Sequence, residues 1–391
     1  MKLFKLIIAL GAMLLACAGA FADPDMDLYN AVKINSLSKV QMALRMGANP
    51  NQKIAVTGLS SFALAVENDN TMIMETMLSD AIKEPVAING DGNSEPPLFI
   101  AARCNSLEAL KYLLSRKGIN INVKYNGDSI LYYVLKMGDK YPVLSKIIEY
   151  NKEYHCGLNF SEYDPAYNRT VLHFAVTGGN YRDGAANGNV NNVKVLINSG
   201  EINVSTKDST ERNALYYACA SGKIDMGRLF LQYPREFIEP ADNGMTPLSA
   251  LIKYGKENNF VDTEFIEKIV KSAGGIKINS FFLPSEQGFD NGLIELAKIN
   301  SDDFFEIAKQ LPKGIVSQLA KLQDREKNSF LCIAIQEKWN SELVDLLIDK
   351  YDGDWKKIKM ETGKYKKLNA IEIMRKNHTE DLYEDIFNDY M

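Results

Sequence analysis

The apolar residues of this chain fall into short phrases, each followed after a polar break by a second, one-sided apolar run. "EPPLFIAARCN" around Leu98, "DSILYYVLKMG" around Leu131, "RNALYYACASG" around Leu215, "GMTPLSALIKYG" around Leu248 and "KNSFLCIAIQE" around Leu331 are variants of the phrase "NRTVLHFAVTGGN" around Leu172. Weaker copies lie around Leu28, Phe62, Leu293 and Ile371. Successive copies are 34, 36, 33, 41, 43, 33, 45, 38 and 40 residues apart, and a spacing with a floor at 33 marks a repeat array rather than one core.

Each phrase predicts a short helix, and the run behind it predicts a second. "SLEALKYLLSRKG" puts Leu107, Leu110 and Leu114 on one helical face, "NNVKVLINSG" does so with Val193, Leu196 and Ile197, and "SELVDLLIDK" with Leu343, Leu346 and Leu347. Several units close on glycine and an asparagine-containing stretch, as at 47–51, 118–123 and 200–204. Glycine suits the left-handed backbone that ends a helix.

These features resemble the ankyrin repeat. Its phrase T-P-L-H-x-A is matched by Thr246-Pro247-Leu248 and by Thr170, Leu172, His173 and Ala175. Its turn glycine is matched by Gly127 and Gly244, its leading aspartate by Asp91, Asp208 and Asp324, and its helix-ending glycine by Gly138, Gly222 and Gly255. In such a unit Thr or Ser caps the first helix and Pro occupies a first turn whose N–H has no partner anyway. The resemblance implies an all-α solenoid of about nine to ten helix-turn-helix units with hairpin or loop connections over residues 27–391, strongest over 91–255 and degenerate over 27–90 and 256–391. It implies a structural histidine at 173, bonded within its repeat. "GNYRDGAANGNVN" interrupts that unit at residues 179–191 and reads as a mobile surface loop.

Composition refines this picture. Lysine and arginine number 45 against 50 acidic residues, which argues against a dedicated nucleic-acid binder. Residues 1–22 read as a secretory signal, with Lys2 and Lys5, the apolar "LIIALGAMLLA", and Ala20-Phe21-Ala22 for cleavage before Asp23. Leu14-Leu15-Ala16-Cys17 offers the alternative of a lipobox, anchoring the chain to a membrane through Cys17. A secreted or periplasmic location is expected in the first case, a lipoprotein in the second.

Catalytic, cofactor and metal constellations are not expected. His155-Cys156 are adjacent and have no accompanying oxyanion loop, and no C-x-x-C pair suggests zinc. Asn89, Asp91, Asn93 and Glu95 alternate like a calcium loop, yet Ile100 stands where the closing acid belongs. Cys104, Cys156, Cys219 and Cys332 are expected as free thiols, with Cys156 the residue most open to a disulfide. The basic stretch "KKIKMETGKYKK" reads as a solvated face.

What remains is a binding surface. A monomeric, non-enzymatic scaffold is expected, docking a protein partner along its concave hairpin and first-helix positions. Those positions are Tyr125, Asp128, Lys136, Tyr167, Arg169, Thr210, Arg212, Asp242, Met245, Lys253 and Tyr254, flanked by Glu95 and Arg103 and by Arg325, Asn328 and Glu337. Tyrosine and arginine are the residues most enriched at interface hot spots. A membrane-anchored or secreted effector acting on host or envelope proteins would use the same face.

Overall fold

A computed structural model of the chain describes residues 23–79, 85–139, 141–181, 187–258, 260–272, 292–311, 313–324, 326–350 and 355–384. The leader with Cys17, residues 182–186 of the insertion, and Arg325 lie outside the described residues. The chain divides between Asn159 and Phe160 into two compact units.

The first unit is a run of helix pairs: Pro24–Lys33 with Leu37–Arg45, Ser61–Glu67 with Thr71–Met77, Pro97–Cys104 with Leu107–Leu114, and Ile130–Lys136 with Tyr141–Tyr154. First helices pack on first helices and second on second. Most span two turns or so, too short to persist alone, so their stability comes from burial between neighbours. Pro97–Cys104 accordingly buries every side chain from Pro97 to Ala102. Leu107–Leu114 buries Ala109, Leu110, Leu113 and Leu114 and keeps a polar face.

Asparagine side chains join consecutive repeats. Asn51 donates to the Pro85 carbonyl at 2.9 Å and accepts from the Ala87 N–H at 2.8 Å. Asn89 repeats the pattern on Gly118 and Asn120, at 2.9 and 2.7 Å, and Asn122 on Gly157 and Asn159, both at 2.8 Å. The asparagine-rich closures seen in the sequence are therefore clamps between repeats.

The second unit continues the motif with Val171–Thr177 and Val190–Asn198, Ala214–Ala220 and Ile224–Arg228, Pro247–Asn258 and Thr263–Ser272, Gly292–Ile299 and Ser301–Ala308, Phe330–Gln336 and Ser341–Asp349, and finally Ala370–Asn377. The repeat leucines Leu215, Leu248 and Leu331 are fully buried, and Leu172 is 1% exposed. Each such side chain contributes about 1.5–3 kcal/mol relative to exposure. Ile371, in the same place of the last described helix, is only half-buried.

Two departures from the sequence reading concern helix bounds. Gly255 does not end its helix but lies buried inside Pro247–Asn258, where a Cβ would meet the Phe260 carbonyl at 2.7 Å. An additional helix, Lys313–Ala320, packs on Ser341–Asp349 through an apolar stripe that includes Val316, Leu319 and Ala320, and it accounts for the long spacing there. The weak unit at Leu293 does stack. Gly292–Ile299 packs on Pro247–Asn258, and the Glu295 carboxylate, 3% exposed, is held between Lys256 and Lys298.

Among the described residues, extended structure is found at the bases of the hairpins. Tyr163–Asp164 pairs antiparallel with Arg169–Thr170, and single bridges Tyr125 to Asp128, Lys207 to Asn213 and Gln323 to Ser329 hold the equivalent place elsewhere. Among the described residues no helix is long and apolar enough to cross a membrane.

Candidate functional site

The site is best built outward from His173, which is 1% exposed. Thr170 precedes its helix in extended conformation, and the His173 Nδ1 accepts from the Thr170 N–H at 3.2 Å. The opposite ring nitrogen must then carry the proton, and Nε2–H donates to the Arg212 carbonyl of the next repeat at 3.0 Å. Burial lowers the imidazole pKa, consistent with a neutral ring bonding two backbone groups. His173 is thus a structural pin between repeats.

The carbonyl it holds belongs to a turn organised by Asp208, whose side chain is fully buried. Its Oδ1 accepts from the Thr210 N–H at 2.8 Å, the Thr210 hydroxyl at 2.7 Å and the Arg212 N–H at 3.2 Å, while Oδ2 accepts from Tyr217 at 2.5 Å. Burial works to raise this carboxyl's pKa, but the hydrogen bonds from Tyr217 and Thr210 outweigh it and the net shift is downward. A charged Asp208 pairs with Arg169 at 3.5 Å.

Around this turn two arginines sit over tyrosine rings. The Arg169 guanidinium sits 4.3 Å from the Tyr167 ring centre and 3.6 Å from that of Tyr181. Arg212 sits 4.5 Å from Tyr216 and 5.8 Å from Tyr217. Each close stack contributes about 0.5–2 kcal/mol and leaves little rotamer freedom to lose on binding. The Asp242 N–H donates to the Thr210 carbonyl at 3.2 Å, which ties in the following hairpin. Beyond it, Tyr216, Met245, Ala250, Lys253, Tyr254 and Glu257 line an open cleft of about 240 Å³.

Of the sequence-predicted positions of the second unit, Tyr167, Arg169, Thr210 and Arg212 gather around the Asp208 turn, Asp242 bonds Thr210, and Lys253 and Tyr254 line the cleft with Tyr216. Of these predicted positions, Tyr167 and Asp242 are exposed and the others half-buried. Met245 was expected on the surface but is only 2% exposed, because the hairpin folds its side chain inward to form part of the cleft. Asn328, 4% exposed, is likewise no surface contact, since it accepts from the backbone N–H groups of Glu361 and Thr362. Sequence reasoning missed Tyr181, Tyr216 and Tyr217. The doublet "YY" after Leu215 and the lone aromatic of a Gly- and Asn-rich insertion were the available signals. Tyr181 also shows that the insertion is tethered at its start, while Asn187 and Gly188 hydrogen-bond back to the Thr177 and Val176 carbonyls.

Tyr125, Asp128 and Lys136 belong to the first unit. Lys136 pairs with Asp128 at 2.6 Å, and Tyr125 packs edge-on against Phe99 and Tyr133. Tyr133 in turn bonds Glu95, which also accepts from Arg103 at 3.1 Å. The calcium-like alternation has a different use. Asp91 accepts from Ser94 and Asn93 and pairs with Lys53 at 3.0 Å, so its oxygens are spent on a turn.

The four described cysteines are free thiols. Cys156 donates to the Leu114 carbonyl at 3.3 Å, and burial pushes its thiol pKa up, away from nucleophilic use. Cys332 is pushed by burial to about 11.

The family model described as ankyrin repeats in three copies matches residues 28–125 and again 182–280, about half of the chain. The first match reaches into the region read from sequence as degenerate, and His173 with its helix Val171–Thr177 lies between the two, whereas the second helix of that repeat, Val190–Asn198, falls inside the second. No curated protein matches the chain. The helix pairs, the hairpin bases, the Thr170–His173 cap and this match agree, and the chain belongs to the ankyrin repeat family.

Proposed function

We propose that this ankyrin repeat protein is an interaction scaffold that docks a protein partner on the Tyr167-to-Tyr254 strip of its second unit. The observation that carries the reading is the pair of arginines stacked on tyrosines around the Asp208 turn. A surface of stiff, amphipathic side chains already in place binds with little ordering cost. Nothing in this mechanism requires chemistry: recognition is noncovalent, and the buried thiols and His173 serve packing. The test is crosslinking capture from envelope fractions by the full chain, compared with a variant carrying Tyr167→Ala, Arg169→Ala, Arg212→Ala and Tyr254→Ala. Loss of the captured proteins is expected, with circular dichroism showing the variant still folded at the capture temperature although the loss of Arg169 beside Asp208 lowers its melting point. Equal capture by parent and variant would exclude the strip.

We also propose that the chain acts outside the cytoplasm, on the strength of its leader. The intact mass of the natively expressed protein decides this. A chain beginning at Asp23 supports secretion, a lipid-modified chain beginning at Cys17 supports the anchored alternative, and a chain retaining residues 1–22 unmodified excludes both.

A further inference from the structure

Exposed apolar side chains are concentrated in the first two repeats. Among the described residues ten large hydrophobic side chains are exposed, and six of them, Met26, Ile34, Met42, Met46, Val56 and Met72, lie between residues 26 and 72. Apolar residues scattered singly over a surface need no explanation, but a concentration of them marks a contact. Its centre is the second helix of the first repeat, Leu37–Arg45. At about 100° per residue, Ser38, Lys39, Met42, Arg45 and the C-cap Met46 fall within about 120° of one helical face, with Met42 in the middle. Val40 and Leu44 lie on the opposite side and are buried. Met42 is 63% exposed and Met46 55%.

The neighbouring chain extends this face. The turn leading into the helix exposes Lys33 and Ile34. The second helix packed alongside, Thr71–Met77, has the exposed Met72 two residues after its N-cap, the place that Ser38 holds in the first. Outward sides of other second helices are polar: Asn191, Lys194 and Asn198 are exposed on Val190–Asn198, and Glu342, Asp345 and Asp349 on Ser341–Asp349.

The charge here is of one sign. Lys33, Lys39 and Arg45 are exposed, and among the described residues none of them has an ion-pair partner. The sequence from Leu28 to Val66 contains no acidic residue, in a chain that has 50. A second copy docked face to face would set these cations against their own counterparts. A protein partner is a poorer match too, since lysine is depleted from protein interfaces. An apolar centre edged by lysine and arginine is instead the arrangement of helices that lie in the headgroup region of a membrane.

We propose that this face of the first repeat seats on a bilayer containing anionic phospholipid, with Met42 and Met46 at the apolar boundary and Lys33, Lys39 and Arg45 meeting lipid phosphates. The contact is separate from the docking strip of the second unit and does not require a lipid on Cys17.

Photocrosslinking in the full chain tests it. p-Benzoylphenylalanine placed at Met42, or at Asp345 as a control, is irradiated with vesicles of phosphatidylcholine with or without phosphatidylglycerol. A phospholipid adduct is expected at Met42 with the anionic vesicles and none at Asp345. Its yield should fall on the order of tenfold with Lys39→Glu and Arg45→Glu together, and should fall as salt is raised. Both positions are exposed, so the fold is kept, and circular dichroism checks this. No lipid adduct at Met42, or a yield unchanged by the double charge reversal, would overturn the proposal. Irradiation in whole cells that joins Met42 to a protein or to a second copy, and not to lipid, would overturn it as well.

Discussion

The imidazole of His173 uses both nitrogens on backbone groups, one in its own repeat and one in the next. Its pKa is lowered from 6.5 by burial, so the unfolded chain takes up the proton first as pH falls. The stability this residue contributes is therefore fully present above pH 6.5 and is lost as pH falls towards and through the folded value. Urea melts at pH 7.5 and pH 5.5 should show the acid loss in the parent. His173→Gln should lower stability by about 1–3 kcal/mol at pH 7.5 and flatten the pH dependence. A variant with the parent's pH response would place the acid sensitivity elsewhere. The identity of this role was legible in the sequence from Thr170 and Leu172 beside the histidine. The partner carbonyl of Arg212 was not, because it lies a whole repeat away.

At the scale of elements, the chain solves one problem repeatedly: two short helices cannot hold themselves together, so each end must be tied. Ser60, Thr246 and Ser329 cap first helices through side-chain oxygens that accept from the N–H three residues on, at 3.1, 3.1 and 3.2 Å. Asn51, Asn89 and Asn122 tie each closing turn to the next. Asn122→Ala removes the bonds to Gly157 and Asn159, and a loss of about 1–2 kcal/mol in urea unfolding is expected. Asn122→Asp keeps the acceptor but loses the donor to the Gly157 carbonyl, so it should recover part of the loss at most. Full stability in both variants would show that water replaces the clamp. Caps were readable, because donor and acceptor are neighbours in sequence. Clamps were not, because asparagine in a turn has a local use that looks the same.

At the scale of the whole molecule, the periodic leucines and small residues determined the repeat class, the helix pairs and the near-complete burial of Leu98, Leu172, Leu215, Leu248 and Leu331. They did so because the burial of each unit depends only on its neighbours, and the same phrase is enough for every copy. The sequence by itself also placed the surface positions Tyr167, Arg169, Arg212 and Tyr254 on one register. Only the tertiary structure decided which side chains these positions touch. The inward turn of Met245, the stacking of Arg169 on Tyr181 from the insertion, and the wall that Tyr254 makes over Gly222 all join residues from different repeats or loops. Periodicity specifies what a position faces in the average repeat. Its actual neighbour depends on the loops between repeats, whose lengths vary here and whose contacts no local pattern encodes.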